Sequence, residues 1–212
     1  MTRLANNVEA EFAATEIKTS LIGRKCWYAY VSFGNTFQIV LGRKIARAPA
    51  EVAARDRLHK RMVARQIAKG VRVKAADPLS REFDRFQGES SLLVWCSWRL
   101  DGEKGPVTSW DDEGTHCQAG ICRLIGRTVR NVSISGLWNL EVEFNGGLVL
   151  SVFPDHVGPS ASFDGNWEVW QPTQAYLIGT GLMCEVIDRE NRPLHLQPRQ
   201  GRWQAKRTKS AK

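Results

Sequence analysis

The sequence predicts a mainly β protein of the α+β class. Two related β-meander units are expected to form one sandwich- or roll-like body, with a basic helical insertion in the first unit. Three observations carry this prediction. Residues Leu124–His156 alternate apolar and polar side chains, turn at Asn145-Gly146-Gly147 and alternate again, which is the pattern of a half-buried hairpin. The opening word of that stretch occurs earlier, since Leu21-Ile22-Gly23-Arg24 matches Leu124-Ile125-Gly126-Arg127. Without a gap, Val31 then falls on Ile134, Phe37 on Leu140, Ile39 on Val142 and Leu41 on Phe144, so the inward positions stay apolar over roughly twenty residues. Finally, the cations gather between the two halves of the first unit and at the C-terminal end.

The expected organisation is a helical segment over 1–20, a first β-unit over 21–123 carrying an insertion at about 43–88, a second β-unit over 124–188 and a basic tail over 189–212. With 42% apolar residues and eight tryptophans, the chain has the material for a real core, which argues against global disorder. Val8, Phe12 and Ile17 give a rough apolar stripe and predict a short helix over Asn6–Lys18. The insertion predicts a helix from Pro49, placed for a first turn, to Gly70, placed as a stop. On it, Val52, Leu58, Met62, Val63 and Ile67 share one side, and Arg57, Arg61 and Arg65 line another. A second short helix is expected over Ser80–Gln87, after Asp77-Pro78 breaks the first.

Ser90–Leu100 reads as one largely buried strand, with a turn over Asp101–Gly105 and a return strand over Pro106–Trp110. Asp111–Gly114 is an acidic loop, and Thr115–Arg123 leads into the second unit. The strands expected there are Arg127–Ser135, Trp138–Phe144, Leu148–Phe153, Trp167–Trp170, Ala175–Ile178 and Leu182–Ile187, in one meander. Leu93-Val94-Trp95 and Glu168-Val169-Trp170 form a second echo between the halves. Trp98 and Trp110, on two arms of one predicted hairpin, are the candidates for an exposed aromatic binding face.

The sequence offers little for catalysis. It has no phosphate-binding glycine loop, nucleophile elbow or HExxH motif. His116-Cys117 with Cys122 is the nearest approach to a metal cluster, but zinc sites usually need a second close pair, and the residues read as loop and core. Asp155-His156 are adjacent on an extended segment and point to opposite faces, so they read as loop residues. No catalytic residue, metal ligand or cofactor is expected, and the protein is read as non-enzymatic. Cys26, Cys96, Cys117, Cys122 and Cys184 are odd in number and scattered, which fits free thiols in a reducing cytoplasm. The N-terminal residues lack an apolar secretory core, and no apolar run reaches the ~20 residues of a membrane span.

The charge is the main functional clue. The formal net charge is +8, and the excess of cations over acids in the insertion and tail is larger than that, so the remainder of the chain is net acidic. The expected partner-binding residues are Arg57, Lys60, Arg61, Arg65 and Lys69 in the insertion with Arg202, Trp203, Lys206 and Arg207 in the tail. Such a surface suits an acidic protein partner by charge complementarity. It also suits non-specific nucleic-acid binding through phosphates, in which Trp203 could stack on a base. A merely solvated basic face is the bland alternative.

The words SLLVWCSWRLDG, LIGRTVRNVSISGLWNLEVEFNGGLVLSVFPD and NWEVWQP resemble small β-rich bacterial domains of uncharacterised function, some of which are immunity-type proteins. The resemblance covers most of Leu21–Asp188 outside the insertion. It implies a binding protein that blocks a partner by surface complementarity, with the basic helix as the plug. It supplies no catalytic signature. The basic charge departs from the acidic, nucleic-acid-mimicking inhibitors of nucleases, which counts against a nuclease target.

Overall fold

The computed structural model describes residues 7–69, 78–155, 165–179 and 184–188. The chain is mainly β, with antiparallel sheets and helices at their edges and outer face. The first half runs α1 (Asn7–Leu21), β1 (Cys26–Val31), β2 (Phe37–Leu41), β3 (Ile45–Ala46), α2 (Pro49–Ala68), α3 (Pro78–Arg85), β4 (Phe86–Gln87), β5 (Ser90–Val94), β6 (Ser97–Gly102) and β7 (Gly105–Ser109). The second half runs α4 (Gly114–Cys122), β8 (Val129–Ile134), β9 (Leu140–Phe144), β10 (Leu148–Phe153), β11 (Trp167–Trp170), β12 (Gln174–Ile178) and β13 (Cys184–Asp188).

A six-stranded sheet has the order β1-β2-β5-β11-β12-β13, and a five-stranded sheet has the order β7-β6-β10-β9-β8. One hydrophobic cluster draws on both, including Phe37, Ile39 and Leu92 from the first and Trp98, Leu100, Val142 and Leu150 from the second. Ala13, Ile17 and Leu21 of α1 and Cys117 and Ile121 of α4 join it. The helices lie at the sheet edges, with α1 against β8 and β13 and α4 against β1 and β7. Edge strands left bare are sites of unwanted pairing, and these helices cover them.

The repeated LIGR word has a local physical cause. In each copy a buried leucine closes a helix or follows it closely, Leu21 at the end of α1 and Leu124 two residues after α4, and the chain reverses through a glycine with positive φ, Gly23 at 77° or Gly126 at 86°. Only glycine adopts that conformation without a Cβ penalty, so the word is a helix stop followed by a strand entry. The ladders that follow share one register. β1 pairs with β2 from Cys26↔Leu41 to Val31↔Phe37, and β8 pairs with β9 from Val129↔Phe144 to Ile134↔Leu140, each with a bulge at its first step. The offset is constant, since 129 − 26 and 144 − 41 are both 103.

The structure corrects several expectations. Ser90–Leu100 is not one strand: β5 ends at Val94 and β6 begins at Ser97 in the other sheet. The second half is not a closed meander either, because β10 pairs with β6 of the first half and β11 with β5. Backbone pairing of both halves is thereby interlocked. The echo of Leu93-Val94 in Glu168-Val169 joins neighbouring strands of one ladder, with Leu93 facing Glu168 across it. Thr115–Arg123 contains a helix, α4, rather than a plain connection. Its Gly120 has a packing reason: a Cβ there would lie 2.2 Å from Thr108 Cγ2, so glycine lets α4 approach β7. Trp138 lies in the turn before β9 with φ 59°, not in a strand.

Candidate functional site

The basic insertion leaves the body between β2 and β5. Its stem is the two-residue ladder β3–β4, pairing Ile45 with Gln87 and Ala46 with Phe86. Beyond the stem, α2 and α3 pack on one another. Phe83 of α3 is the anchor. Its ring stacks on Tyr28 of β1 with centroids 4.5 Å apart and planes at 5°, while the guanidinium groups of Arg47 and Arg55 lie 5.4 and 5.2 Å from its centroid. Arg47 donates from Nε to the Phe83 and Phe86 carbonyls at 3.3 and 3.1 Å, where the α3 helix leaves carbonyls unsatisfied, and pairs with Glu51 at 2.5 Å.

Arg24, Arg43 and Lys44, also near the stem, are neutralised too. Glu89 accepts Arg24 and Arg43, each at 2.7 Å, and Lys44 pairs with Glu82 at 2.5 Å. The backbone N–H and guanidinium of Arg43, with Arg24 beside them, hold the Glu89 carboxyl below its usual range. Arg55 pairs with Glu51 at 3.3 Å and lies 4.0 Å from Asp84.

The outer part of the insertion differs. From Arg57 to Lys69 the sequence holds five cations and no acid. The expected residues Arg57, Lys60, Arg61, Arg65 and Lys69 are all exposed, and none forms an ion pair with any described residue. Arg57, Arg61 and Arg65 recur every fourth residue, so they form a ladder about 12 Å long on α2. The apolar side predicted for this helix does not reach the core. Met62 is 40% and Ile67 62% exposed, and Val52, Leu58 and Val63 are only half-buried. The structure thus brings the five insertion cations onto one projecting segment with uncovered apolar groups beside them. The tail residues Arg202, Trp203, Lys206 and Arg207 lie outside the described residues.

Sequence reasoning missed Phe83 and Arg47, whose importance depends on what they touch. We expect Phe83→Ala to loosen the insertion while sparing the body. The stacked contact contributes about 1 kcal/mol beyond its buried area, so limited trypsin digestion should cut at Arg57–Arg65 about tenfold faster as local opening becomes easier. The cooperative melt of the body should shift by only a few degrees. An unchanged digestion rate would show that Phe83 is not the anchor.

Other candidates resolve into structural roles. Trp98 is 1% exposed and donates from Nε1 to the Asn35 carbonyl, so it belongs to the core and not to an aromatic binding face. Trp110 is 48% exposed and stands without it. Cys117 is buried and donates to the Ser109 carbonyl at 3.2 Å, Cys122 accepts from Gln118, and the His116 ring meets the Val107 carbonyl. Among the described residues, no group of three or more His, Cys, Asp or Glu side chains converges as a metal-binding set. Burial pushes the Cys26 and Cys184 thiols up to about 12 and raises those of Cys96 and Cys117, the opposite of what a nucleophilic thiol needs. Asp155 accepts from the Ser97 N–H at 3.1 Å and from its hydroxyl, capping the start of β6. His156 lies outside the described residues.

A shallow depression of about 200 Å³ on the outer face of β8–β10 is lined by Ser133, Asn139, Glu141, Ser151 and Phe153, without a paired acid and base. No helix among the described residues is long and apolar enough to cross a membrane. Comparison with known proteins finds no matching family model, no similar curated protein and no similar solved structure.

Proposed function

We propose that the chain is a non-enzymatic cytoplasmic binding protein, immunity-like or defence-associated, that engages an acidic protein partner through the basic insertion and the tail. The observation that carries this reading is the division of the insertion's charge. Arg43, Lys44, Arg47 and Arg55 near the stem are held in ion pairs, whereas Arg57, Lys60, Arg61, Arg65 and Lys69 are exposed without an acid among the described residues. Cations left unneutralised on a projecting helix are available to an anionic partner. Met62 and Ile67, exposed on the same segment, favour protein over nucleic acid, because phosphates give apolar side chains nothing to bury against. The shared register of β1–β2 and β8–β9 supports the accompanying architecture of two related units in one sandwich- or roll-like body.

The test uses two defined probes: an acidic amphipathic helical peptide, Glu-rich with leucines at helical spacing, and a mixed-sequence DNA duplex. Fluorescence anisotropy reads both against the full chain and against Met62→Asp/Ile67→Asp. Peptide binding is expected to weaken about tenfold in the variant, since losing buried apolar contacts in a docked helix costs on the order of 1–2 kcal/mol. Tighter binding of the duplex, with no effect of the double substitution and a steep fall with salt, would replace this reading with non-specific nucleic-acid binding.

A further inference from the structure

The match between the two halves extends well beyond one ladder. Gly23 N–H donates to the Val129 carbonyl at 2.9 Å, and Gly126 N–H donates to the Cys26 carbonyl at 2.8 Å. Val129 N–H donates to Arg24, and Cys26 N–H to Arg127, at 2.9 and 2.8 Å. Exchanging each residue with the one 103 positions away, as 129 − 26 defines it, leaves this set of bonds unchanged. Lys25 bridges Thr128, its own counterpart at that offset. Reciprocity of this kind is the signature of a twofold relation, as in an isologous dimer interface. The two non-glycine residues with positive φ among the described ones, Asn35 and Trp138, are also counterparts. Each offers its carbonyl to a buried indole: Trp98 Nε1 reaches Asn35 at 2.8 Å, and Trp167 Nε1 reaches Trp138 at 2.9 Å.

The later strands complete the correspondence. β5 continues β2 as β10 continues β9, with Phe37↔Val94 matching Leu140↔Val152. Trp167 faces Val94 as Trp98 faces Val152, so the hairpin β6–β7 corresponds to β11–β12. Each hairpin is paired into the sheet begun by the other half. Between β2 and β5 the offset falls from 103 to 58, given by 148 − 90. The difference, 103 − 58, is 45 residues and corresponds to Arg43–Gln87. Where the second half has the turn Asn145-Gly146-Gly147, the first has Gly42, the whole insertion, then Gly88 and Glu89. Tyr28, which stacks on Phe83, has Asn131 as its counterpart, so only the first half carries the anchor.

Building on the binding role above, we propose that the partner-binding site lies within Arg43–Gln87, a segment grafted into one turn of a pseudo-twofold body that folds without it. The two halves of that body hold each other by exchanging their last hairpins. The body is the holder, and the graft is the reader of the acidic partner.

The test replaces Gly42–Glu89 with Asn-Gly-Gly and retains everything else, the tail included. The variant is expected to keep its near-UV circular dichroism and one cooperative urea transition, and to bind the acidic amphipathic peptide about 100-fold more weakly than the full chain, as expected when the charged recognition element is removed. A chain that stays folded but binds the peptide as before would overturn the placement of the site, and with it the role given to the insertion, while leaving the body's architecture standing. A chain that fails to fold would overturn the body's independence. In the full chain, Lys25→Cys/Thr128→Cys tests the twofold junction separately. The Lys25–Thr128 pair is of the non-hydrogen-bonded antiparallel kind, with Cα atoms about 4.5 Å apart, within disulfide reach. Oxidation should therefore link the two introduced thiols, as read by non-reducing peptide mapping, and no link would refute the junction.

Discussion

Replacing Trp167 by Ala is expected to destabilise the protein by about 3–5 kcal/mol, and replacing Trp98 by Ala by a similar amount. Both side chains are essentially buried, at 0% and 1% exposure, and both belong to the cluster shared by the two sheets. Each truncation removes a large apolar volume that the close-packed surroundings cannot refill, which adds a cavity cost to the lost transfer energy. Each also strips a donor from a turn carbonyl, Trp138 in one case and Asn35 in the other. Their neighbours differ, since Phe37 meets Trp98 edge-on at 5.0 Å and Trp138 meets Trp167 at 6.4 Å. Trp167→Phe and Trp98→Phe separate the two contributions: the ring is largely kept, and the lost hydrogen bond alone costs about 1–3 kcal/mol. Urea unfolding followed by far-UV circular dichroism measures all four variants, with unchanged m-values expected if the unfolded state is unaffected. Matched costs at positions with no sequence similarity around them would follow from matched positions in the fold. A cost below about 1 kcal/mol at one Ala variant, with the other as large as expected, would break the correspondence between the halves.

The legibility of this chain varied with how local the cause was. The LIGR words were readable as a repeat because four residues match outright, but that each follows a helix and turns on a glycine of positive φ was not. The first two strands of each half were readable because alternation and a shared offset agree. The switch between sheets at Trp95-Cys96 was hidden for a physical reason. Leu92, Val94, Cys96, Trp98 and Leu100 are all buried, so the period-2 pattern runs straight through the switch. Both sheets face one core, and a strand can leave one for the other without changing its inward phase. Alternation therefore could not report where β5 ends and β6 begins. α4 was concealed differently: Cys117, Gly120, Ile121 and Leu124 carry helical spacing, but a central glycine and two cysteines drew attention to turn and metal chemistry. In the insertion, the helix and its cations were plain. Which of those cations would be neutralised was not, because it depends on Glu51, Glu82, Asp84 and Glu89 meeting them around the stem.

That division of the cations sets the second large effect. The triple variant Arg57→Glu/Arg61→Glu/Arg65→Glu should bind the acidic amphipathic peptide about 100-fold more weakly, or about 3 kcal/mol. Each exposed ion pair in the complex contributes only about 0.2–1 kcal/mol, but reversal converts three attractions into three repulsions along one helical ladder. Most of the loss should appear as slower association and should shrink as salt rises, since these charges sit in water and steer the encounter. The folded state should barely change, because none of the three makes an ion pair with a described residue. Arg55→Glu provides the contrast. Arg55 lies against Phe83 and pairs with Glu51, so its reversal places like charges together at the root of the insertion. That variant should expose α2 to trypsin, whereas the triple variant should lose binding at unchanged stability. Peptide binding retained by the triple variant at low salt would remove the outer helix from the recognition surface and leave the tail as its source of positive charge.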